Sequence, residues 1–243
     1  DYSGVYVFDN DFPALVEGGT ARHNDPLFRS EETSGLCRVV CFSPDHSKTL
    51  PLLSQSELVD VVNVWAAQTE ELGNRYANVQ IFENKGAMMG CSNPHPHGQI
   101  WAPAHNPEEL IDSDDGQLDY FQQHGSPLLL DLAEREIADG ERVVEQSDHW
   151  LAVVPFWAAW PFEVMILPRF KAARLPDVNA VQRADLAGIL KSVTTRYDNL
   201  FQTSFPYSFG WHQRSFMPMP VEWELSDHFQ LHAHFYPPLL RSA

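Results

Sequence analysis

The sequence is poor in cysteine, in positive charge and in long apolar runs. Three cysteines among 243 residues are too few for a disulfide framework, and this favours a reducing, cytoplasmic setting. Sixteen Lys and Arg against 33 Asp and Glu give a formal net charge of −17, which is no basic footprint for a nucleic acid or an anionic membrane. No run approaches the roughly 18 apolar residues of a membrane span, and no signal peptide is visible. We therefore expect neither nucleic acid nor membrane as a partner.

Hydrophobic residues make up 44% of the chain, enough for a sizeable core, and their order repeats. Ser54 and Glu57 have the spacing of a capping box that begins a helix, and Asn179 and Gln182 repeat this pattern. Leu-Pro precedes each helix, and a strand-like segment and an alternating histidine pair follow it. This order predicts an internal duplication and an α+β fold with an antiparallel sheet built from two similar halves.

The duplication divides the chain into three parts. We assign residues 1–104 to an N-terminal repeat, residues 105–148 to an acidic, helical linker and residues 149–243 to a C-terminal repeat. The acidic run at residues 112–115 within the linker is interpreted as a solvated face.

Residues 90–101 (GCSNPHPHGQIW) carry the most distinctive pattern. Two prolines hold the chain extended, so His95, His97 and Gln99 would share one face, about 6.5–7 Å apart at each step. A neutral imidazole is nucleophilic at pH 7, and its attack on phosphorus would give an activated phosphoramidate. Gln99 would stabilise charge on the phosphoryl oxygens, and Gly98 would let a ligand approach the backbone. The alternative is a histidine pair in a proline-rich loop without catalytic function.

A second histidine cluster has the composition of a metal site. His232 and His234 alternate on an aromatic strand, and His212 lies twenty residues earlier. Three imidazoles are a common ligand set for zinc or iron. Without His212, a pair of core histidines would be an equal alternative.

The other cysteines and histidines are assigned structural or surface roles. Cys37 and Cys41 would share a strand face near His46, but their spacing is not usual for zinc, so we predict buried structural thiols. The remaining histidines are predicted to be solvated: His23, His105, His124, His149 and His228.

Together these segments resemble the galactose-1-phosphate uridylyltransferase family, a two-repeat branch of the histidine-triad superfamily. The resemblance covers essentially the whole chain and rests on residues 43–51 (SPDHSKTLP), 82–86 (FENKG), 90–101, 205–208 (FPYS) and 230–243 (QLHAHFYPPLLRSA). It implies a sheet of two histidine-triad-like repeats. It also implies ping-pong exchange of UMP between UDP-glucose or UDP-galactose and hexose-1-phosphates, in a homodimer.

The resemblance also assigns roles to residues around the substrate. His97 would be the nucleophile that carries the uridylyl group, and Gln99 would contact the transferred phosphoryl group. Ser92 matches a position on the phosphate side. Three further positions would hold the uridine part of the nucleotide sugar: Asn10, Asp11 and Asn84.

Two metal sites follow from the same resemblance. His46 and His95 would bind zinc with a Cys-x-x-Cys that precedes this sequence in the family. The second site would hold iron or zinc on His212, His232 and His234. The family supplies a Glu to that site where this chain has Ser113, so we expect either weaker metal binding or substitution by Asp112 or Asp114. The family also has a C-terminal segment beyond the end of this sequence.

Two rival functions remain at this point. A histidine-triad hydrolase or phosphorylase would use His97 to pass the nucleotide to water or to phosphate, but the hydrolases usually carry a third histidine where Gln99 stands. A catalytically silent module for metal binding or dimerisation would bind metal and form no covalent nucleotide.

Overall fold

The computed structural model describes residues 2–18, 25–28, 30, 32–91, 93–217 and 227–238. Within these ranges the strands are β1 (Tyr6–Asp9), β2 (Gly35–Cys41), β3 (Gln80–Lys85), β4 (His97–Pro103), β5 (Val143–Gln146), β6 (Trp150–Val153), β7 (Val164–Pro168), β8 (Tyr207–His212) and β9 (His232–Tyr236). The α-helices are α1 (Gln55–Gly73), α2 (Glu108–His124), α3 (Leu128–Asp139) and α4 (Ala180–Phe201). Among the described helices, none has both the length and the apolarity to cross a bilayer.

All these strands form one antiparallel sheet in the order β1-β2-β4-β3-β8-β9-β7-β6-β5. The first half has the order β1-β2-β4-β3, with α1 between β2 and β3 in the chain. The second half has the equivalent order β6-β7-β9-β8, with α4 between β7 and β8, and β5 extends its edge. The two halves meet at the β3–β8 pair. The predicted α+β fold with a duplicated antiparallel sheet is confirmed.

The helices α1 and α4 begin as their sequences predict. The Ser54 hydroxyl accepts a hydrogen bond from the Glu57 backbone N–H, and the Glu57 carboxylate accepts one from the Ser54 N–H. Asn179 and Gln182 make the same reciprocal pair at the start of α4. Each box satisfies amide donors that the first turn of a helix leaves unpaired.

One face of the sheet packs against α1 and α4. Apolar side chains recur on both helices at helical spacing, and they share one continuous core with both halves of the sheet. The largest side chains in this core are aromatic and fully buried: Trp65, Trp150, Trp211, Tyr207 and Phe209. We call the side of the sheet that packs against α1 and α4 the helix face. Its core joins the two halves of the sheet.

The opposite face is covered unequally. A smaller apolar cluster packs α3 against β6 and β7, whereas the side chains of this face on β3, β4 and β8 remain partly exposed. We call this surface the open face. Residues directly opposite one another in antiparallel strands share a face, so Gln99, Phe82, Gly210 and His234 form one row across it.

Candidate active site and metal centre

The nucleophile candidate, His97, is the first residue of β4 and is half-buried. Its Nδ1 lies 2.7 Å from the backbone oxygen of His95. A carbonyl oxygen only accepts, so Nδ1 carries the proton and Nε2 keeps its lone pair. The turn before β4 is held by the Asn93 side chain, whose oxygen accepts the His95 N–H at 3.0 Å. The local structure therefore fixes the nucleophilic tautomer of His97.

Gln99 lies two residues along β4 on the same face as His97, as predicted. Gly98 points the other way. A Cβ at Gly98 would lie 3.1 Å from the Phe42 ring, which belongs to the core on the helix face. The prediction that Gly98 admits a ligand is wrong, because its missing side chain makes room for Phe42.

Asn84 lies on β3 and lines a cavity of about 350 Å³ together with His95 and His97. Its side-chain oxygen accepts a hydrogen bond from Ser208 Oγ on β8 at 2.6 Å. The structure thus brings Asn84 and the nucleophile candidate to one cavity.

Asn10 and Asp11 follow β1 at some distance from this cavity. The Asn10 N–H donates to the Cys37 carbonyl, and Cys37 is paired with Trp101, four residues beyond His97 on β4. At about 3.3 Å per residue, these side chains lie on the order of 13 Å from His97 along the strands. Only an elongated ligand would contact His97 at one end and Asn10 and Asp11 at the other. Ser92 lies outside the described residues.

His46 and His95 form the first metal-site candidate. Their Nδ1 atoms are 2.7 Å apart, and the Tyr2 hydroxyl lies 3.2 Å from His95 Nε2. Burial, with the neighbouring His46 and His97, lowers the pKa of His95, which favours the neutral, ligating form. A structural zinc site uses four ligands. Of the predicted ligands, the described residues include only His46 and His95.

His212, His232 and His234 form the second candidate, on β8 and β9. One nitrogen from each ring lies within 4.8 Å of the others. Burial, followed by the charge of His234, lowers the pKa of His212 to about 3, and burial also lowers the pKa of His232. Three imidazoles converge at this point, so the donor set fits a zinc or iron ion.

Two histidines of this cluster have a polar atom near Nδ1. His232 Nδ1 lies 2.9 Å from the Gln230 carbonyl oxygen, and His234 Nδ1 lies 3.4 Å from Glu163 Oε1. Partners of this kind orient metal-binding histidines. Sequence reasoning did not identify Glu163. The signal was a lone acid in an aromatic segment (FWAAWPFE) directly before β7.

The acidic run on α2 differs from its prediction as a solvated face. Asp114 is fully buried, and its carboxylate lies 3.2 Å from Nε2 of the equally buried His228. His228 was predicted to be solvated and Asp114 was an alternative metal ligand; both predictions are wrong, because the two side chains pair with each other inside the protein. Asp112 and Ser113 line a cavity of about 510 Å³ with the three histidines.

The burial of the remaining cysteines and histidines agrees with the predictions at some positions and differs at others. Burial is confirmed for Cys37, while Cys41 is only half-buried. His105 and His124 are exposed as predicted. His149 is half-buried, 3.0 Å from Asp185, so its prediction as solvated is wrong. His23 lies outside the described residues.

Models of one protein family match nearly the whole chain. The family model "Galactose-1-phosphate uridyl transferase, N-terminal domain" matches residues 1–107, and the corresponding C-terminal domain model matches residues 109–243. A galactose-1-phosphate uridylyltransferase of Haemophilus influenzae is 56% identical over the whole chain, which covers 69% of that relative. The Rattus norvegicus enzyme is 51% identical, with 64% of its length covered. The chain therefore belongs to the galactose-1-phosphate uridylyltransferase family, and it spans about two thirds of these relatives.

Solved structures give the same fold. A structure described as uridylyltransferase superposes with a TM-score of 0.88 at 26% identity, covering 99% of this chain and 78% of the other. An ADP-glucose phosphorylase from Arabidopsis thaliana superposes with a TM-score of 0.83 at 23% identity, covering 99% of this chain and 74% of the other. That second likeness concerns the fold alone.

Proposed function

We propose that this chain transfers UMP between UDP-glucose or UDP-galactose and a hexose-1-phosphate, through a covalent uridylyl group on His97. The observation that carries the proposal is the His97 tautomer. Its Nδ1 is held by the His95 carbonyl, and Nε2 is left as a nucleophile at the cavity shared with Asn84. Family membership supports the choice of substrates.

The reaction proceeds in two displacements at phosphorus. In the first, the His97 Nε2 lone pair forms a bond to the α-phosphorus of the UDP-sugar, and the bond to the bridging oxygen breaks. Hexose-1-phosphate leaves with that electron pair. Nδ1 keeps its proton, and the His95 carbonyl stabilises the positive charge that develops on the ring. In the second, an oxygen of another hexose-1-phosphate attacks, and the Nε2–P bond breaks.

Gln99 and Asn84 would act on the phosphoryl oxygens. We place Asn84 there and not at the uridine, because it lines the same cavity as His97. Both are neutral amides on the open face, so they donate hydrogen bonds without neutralising the nucleophile. A phosphorylase or hydrolase would use the same first step. The uridylylated protein is therefore mixed with hexose-1-phosphate, with inorganic phosphate or with buffer alone, and the rate at which it loses the uridylyl group is compared. Faster loss to phosphate or to water than to hexose-1-phosphate would contradict the transferase proposal.

Mass spectrometry tests the covalent step. We expect incubation with UDP-glucose to add one uridylyl group to the peptide that contains residues 90–101. His97→Gly should abolish this adduct with little change in thermal stability, while His105→Ala, at an exposed histidine, should label like the wild type. An adduct on His97→Gly, or its absence from the wild type, would contradict the proposal.

We also propose two metal sites: zinc on His46 and His95, completed by ligands beyond the described residues, and zinc or iron on His212, His232 and His234. Asp112 remains a proposed ligand of the second site. A metal there would cross-link β8 and β9 and stabilise the fold.

Metal analysis tests the second site. His232→Ala should lose about one equivalent of bound metal and unfold at a lower temperature, because one of three imidazole ligands is removed. His124→Ala, at an exposed histidine, is the matched control. Unchanged metal content in His232→Ala would show that these histidines do not bind the metal.

The assembly and location are proposals as well. We propose a cytoplasmic homodimer, which light scattering and cell fractionation test, and we retain the division at residues 104 and 148 as our interpretation of the repeats.

A further inference from the structure

We infer that Ser208 is a positioning residue that fixes the side-chain amide of Asn84, so that its N–H group faces the phosphoryl oxygens of the substrate. The inference rests on the proposed function for its catalytic consequence. Its structural content, the orientation of one amide, stands on the contacts described below.

The backbone around Asn84 is anchored from the opposite face of the sheet. Its neighbours Glu83 and Lys85 point into the helix face, where both are buried. Glu83 accepts a hydrogen bond from the Tyr207 hydroxyl at 2.9 Å, and Lys85 Nζ lies 3.2 Å from Asp198 on α4. These contacts hold β3 against β8 and α4, so the Asn84 backbone is fixed on both sides.

The remaining freedom of Asn84 is the rotation of its amide. A half-turn about the last side-chain bond exchanges the oxygen and the nitrogen at little steric cost. Ser208 is directly opposite Asn84 in the β3–β8 register, and its hydroxyl donates to Asn84 Oδ1 at 2.6 Å. A hydroxyl can also accept, so this contact alone permits both orientations. A phosphoryl oxygen on the other side of the amide only accepts and requires Nδ2, and Ser208 then supplies the donor that Oδ1 needs.

The orientation with Oδ1 toward Ser208 suits an anionic ligand. With Oδ1 engaged by Ser208, the Nδ2 group has no hydrogen-bond partner among the described residues. Asn84 lines the cavity that also contains His97, where the proposed reaction places phosphoryl oxygens. Those oxygens only accept hydrogen bonds, so they would attract the amide N–H and repel the amide oxygen.

Kinetics of the Ser208→Ala variant test this role. Without the hydroxyl, Asn84 Oδ1 loses its donor when Nδ2 faces the phosphoryl oxygens. We therefore expect the KM for UDP-glucose to rise about tenfold, the effect of losing one hydrogen bond, with kcat changed less than threefold. Ser208→Thr keeps the hydroxyl and should restore the KM. Ser56→Ala, at an exposed serine on α1, is the matched control.

A double-mutant cycle separates positioning from general damage. In an Asn84→Ala background there is no amide to orient, so Ser208→Ala should cause no further loss. Additive losses in the double variant, or a Ser208→Ala variant with wild-type KM, would overturn the inference.

A measurement without substrate distinguishes this inference from the proposed function. The side-chain NH2 signals of Asn84 in a ¹⁵N spectrum are assigned by their disappearance in Asn84→Asp. Ser208→Ala should shift these signals and Ser56→Ala should not. If the wild type forms no uridylyl adduct, the proposed function fails, while these signals still decide the role of Ser208: unchanged signals in Ser208→Ala contradict it.

Discussion

The pKa of the buried Glu83 carboxyl is set by its surroundings. Glu83 is 2% exposed, and burial raises the pKa of its carboxyl from 4.5 to about 7, although the Tyr207 hydrogen bond and the Lys85 charge act in the opposite direction. Below about pH 7 the folded protein therefore holds a proton on a residue that lies directly behind the candidate active site.

This raised pKa has a consequence for stability. Between pH 4.5 and about 7 the unfolded chain has released a proton that the folded chain retains, so the free energy of unfolding falls by up to about 1.4 kcal/mol per pH unit. Above the folded pKa the loss is complete. Glu83→Gln keeps an acceptor for Tyr207 and does not titrate, so it should become more stable relative to the wild type as pH rises over this interval.

Urea unfolding at pH 5, 6, 7 and 8 measures this difference. His212 and His232 have lowered pKa values, so their contribution to stability is lost as pH falls below about 6.5. Both proteins contain these histidines, and their contribution cancels in the comparison. A stability difference between Glu83→Gln and wild type that does not change with pH would contradict the assignment.

At the scale of elements, the placement of α2 depends on a buried contact between a carboxyl group and an imidazole. Asp114 on α2 and His228 before β9 are at most 1% exposed. Nearby, the Gln230 N–H donates to Gln117 Oε1 on the same helix at 2.8 Å. These two contacts hold α2 beside the segment that leads into His232 and His234, so they also set where Ser113 lies relative to the histidine cluster.

Removing one partner of this pair should be costly. Asp114→Ala leaves His228 buried opposite a void, and we expect the free energy of unfolding to fall by about 3 kcal/mol. The neighbouring Asp115 is exposed, and Asp115→Ala should change stability by less than about 0.5 kcal/mol. Equal effects of the two substitutions, measured by urea unfolding, would show that the pair does not hold α2.

Elements with local signals were predictable from the sequence. Capping boxes and apolar spacing gave α1 and α4, and the two prolines gave the extended approach to β4. The pairing of Asp114 with His228 was not predictable, because 114 residues separate the partners and each alone has the pattern of a surface residue. The packing of Gly98 against Phe42 was not predictable either, because Phe42 comes from the segment that follows a neighbouring strand.

At the scale of the whole molecule, both candidate sites lie on the open face of one sheet. Gln99 on β4 and His234 on β9 belong to the same row, three strand spacings apart, or about 14 Å. Sequence order predicted that two repeats exist, but it did not show that they join edge to edge. That arrangement depends on the β3–β8 pairing and on the aromatic core beneath it.

The pairing of β3 with β8 determines how each half of the sheet would behave alone. A chain cut between α3 and β5 would leave β3 and β8 as unpaired edges, each with a row of free backbone donors and acceptors. The β8 segment YSFGWH alternates buried aromatic side chains with smaller ones, and it would expose Tyr207, Phe209 and Trp211. Such fragments would aggregate when expressed separately and would reassociate when expressed together, because the β3 and β8 edges are in register with each other.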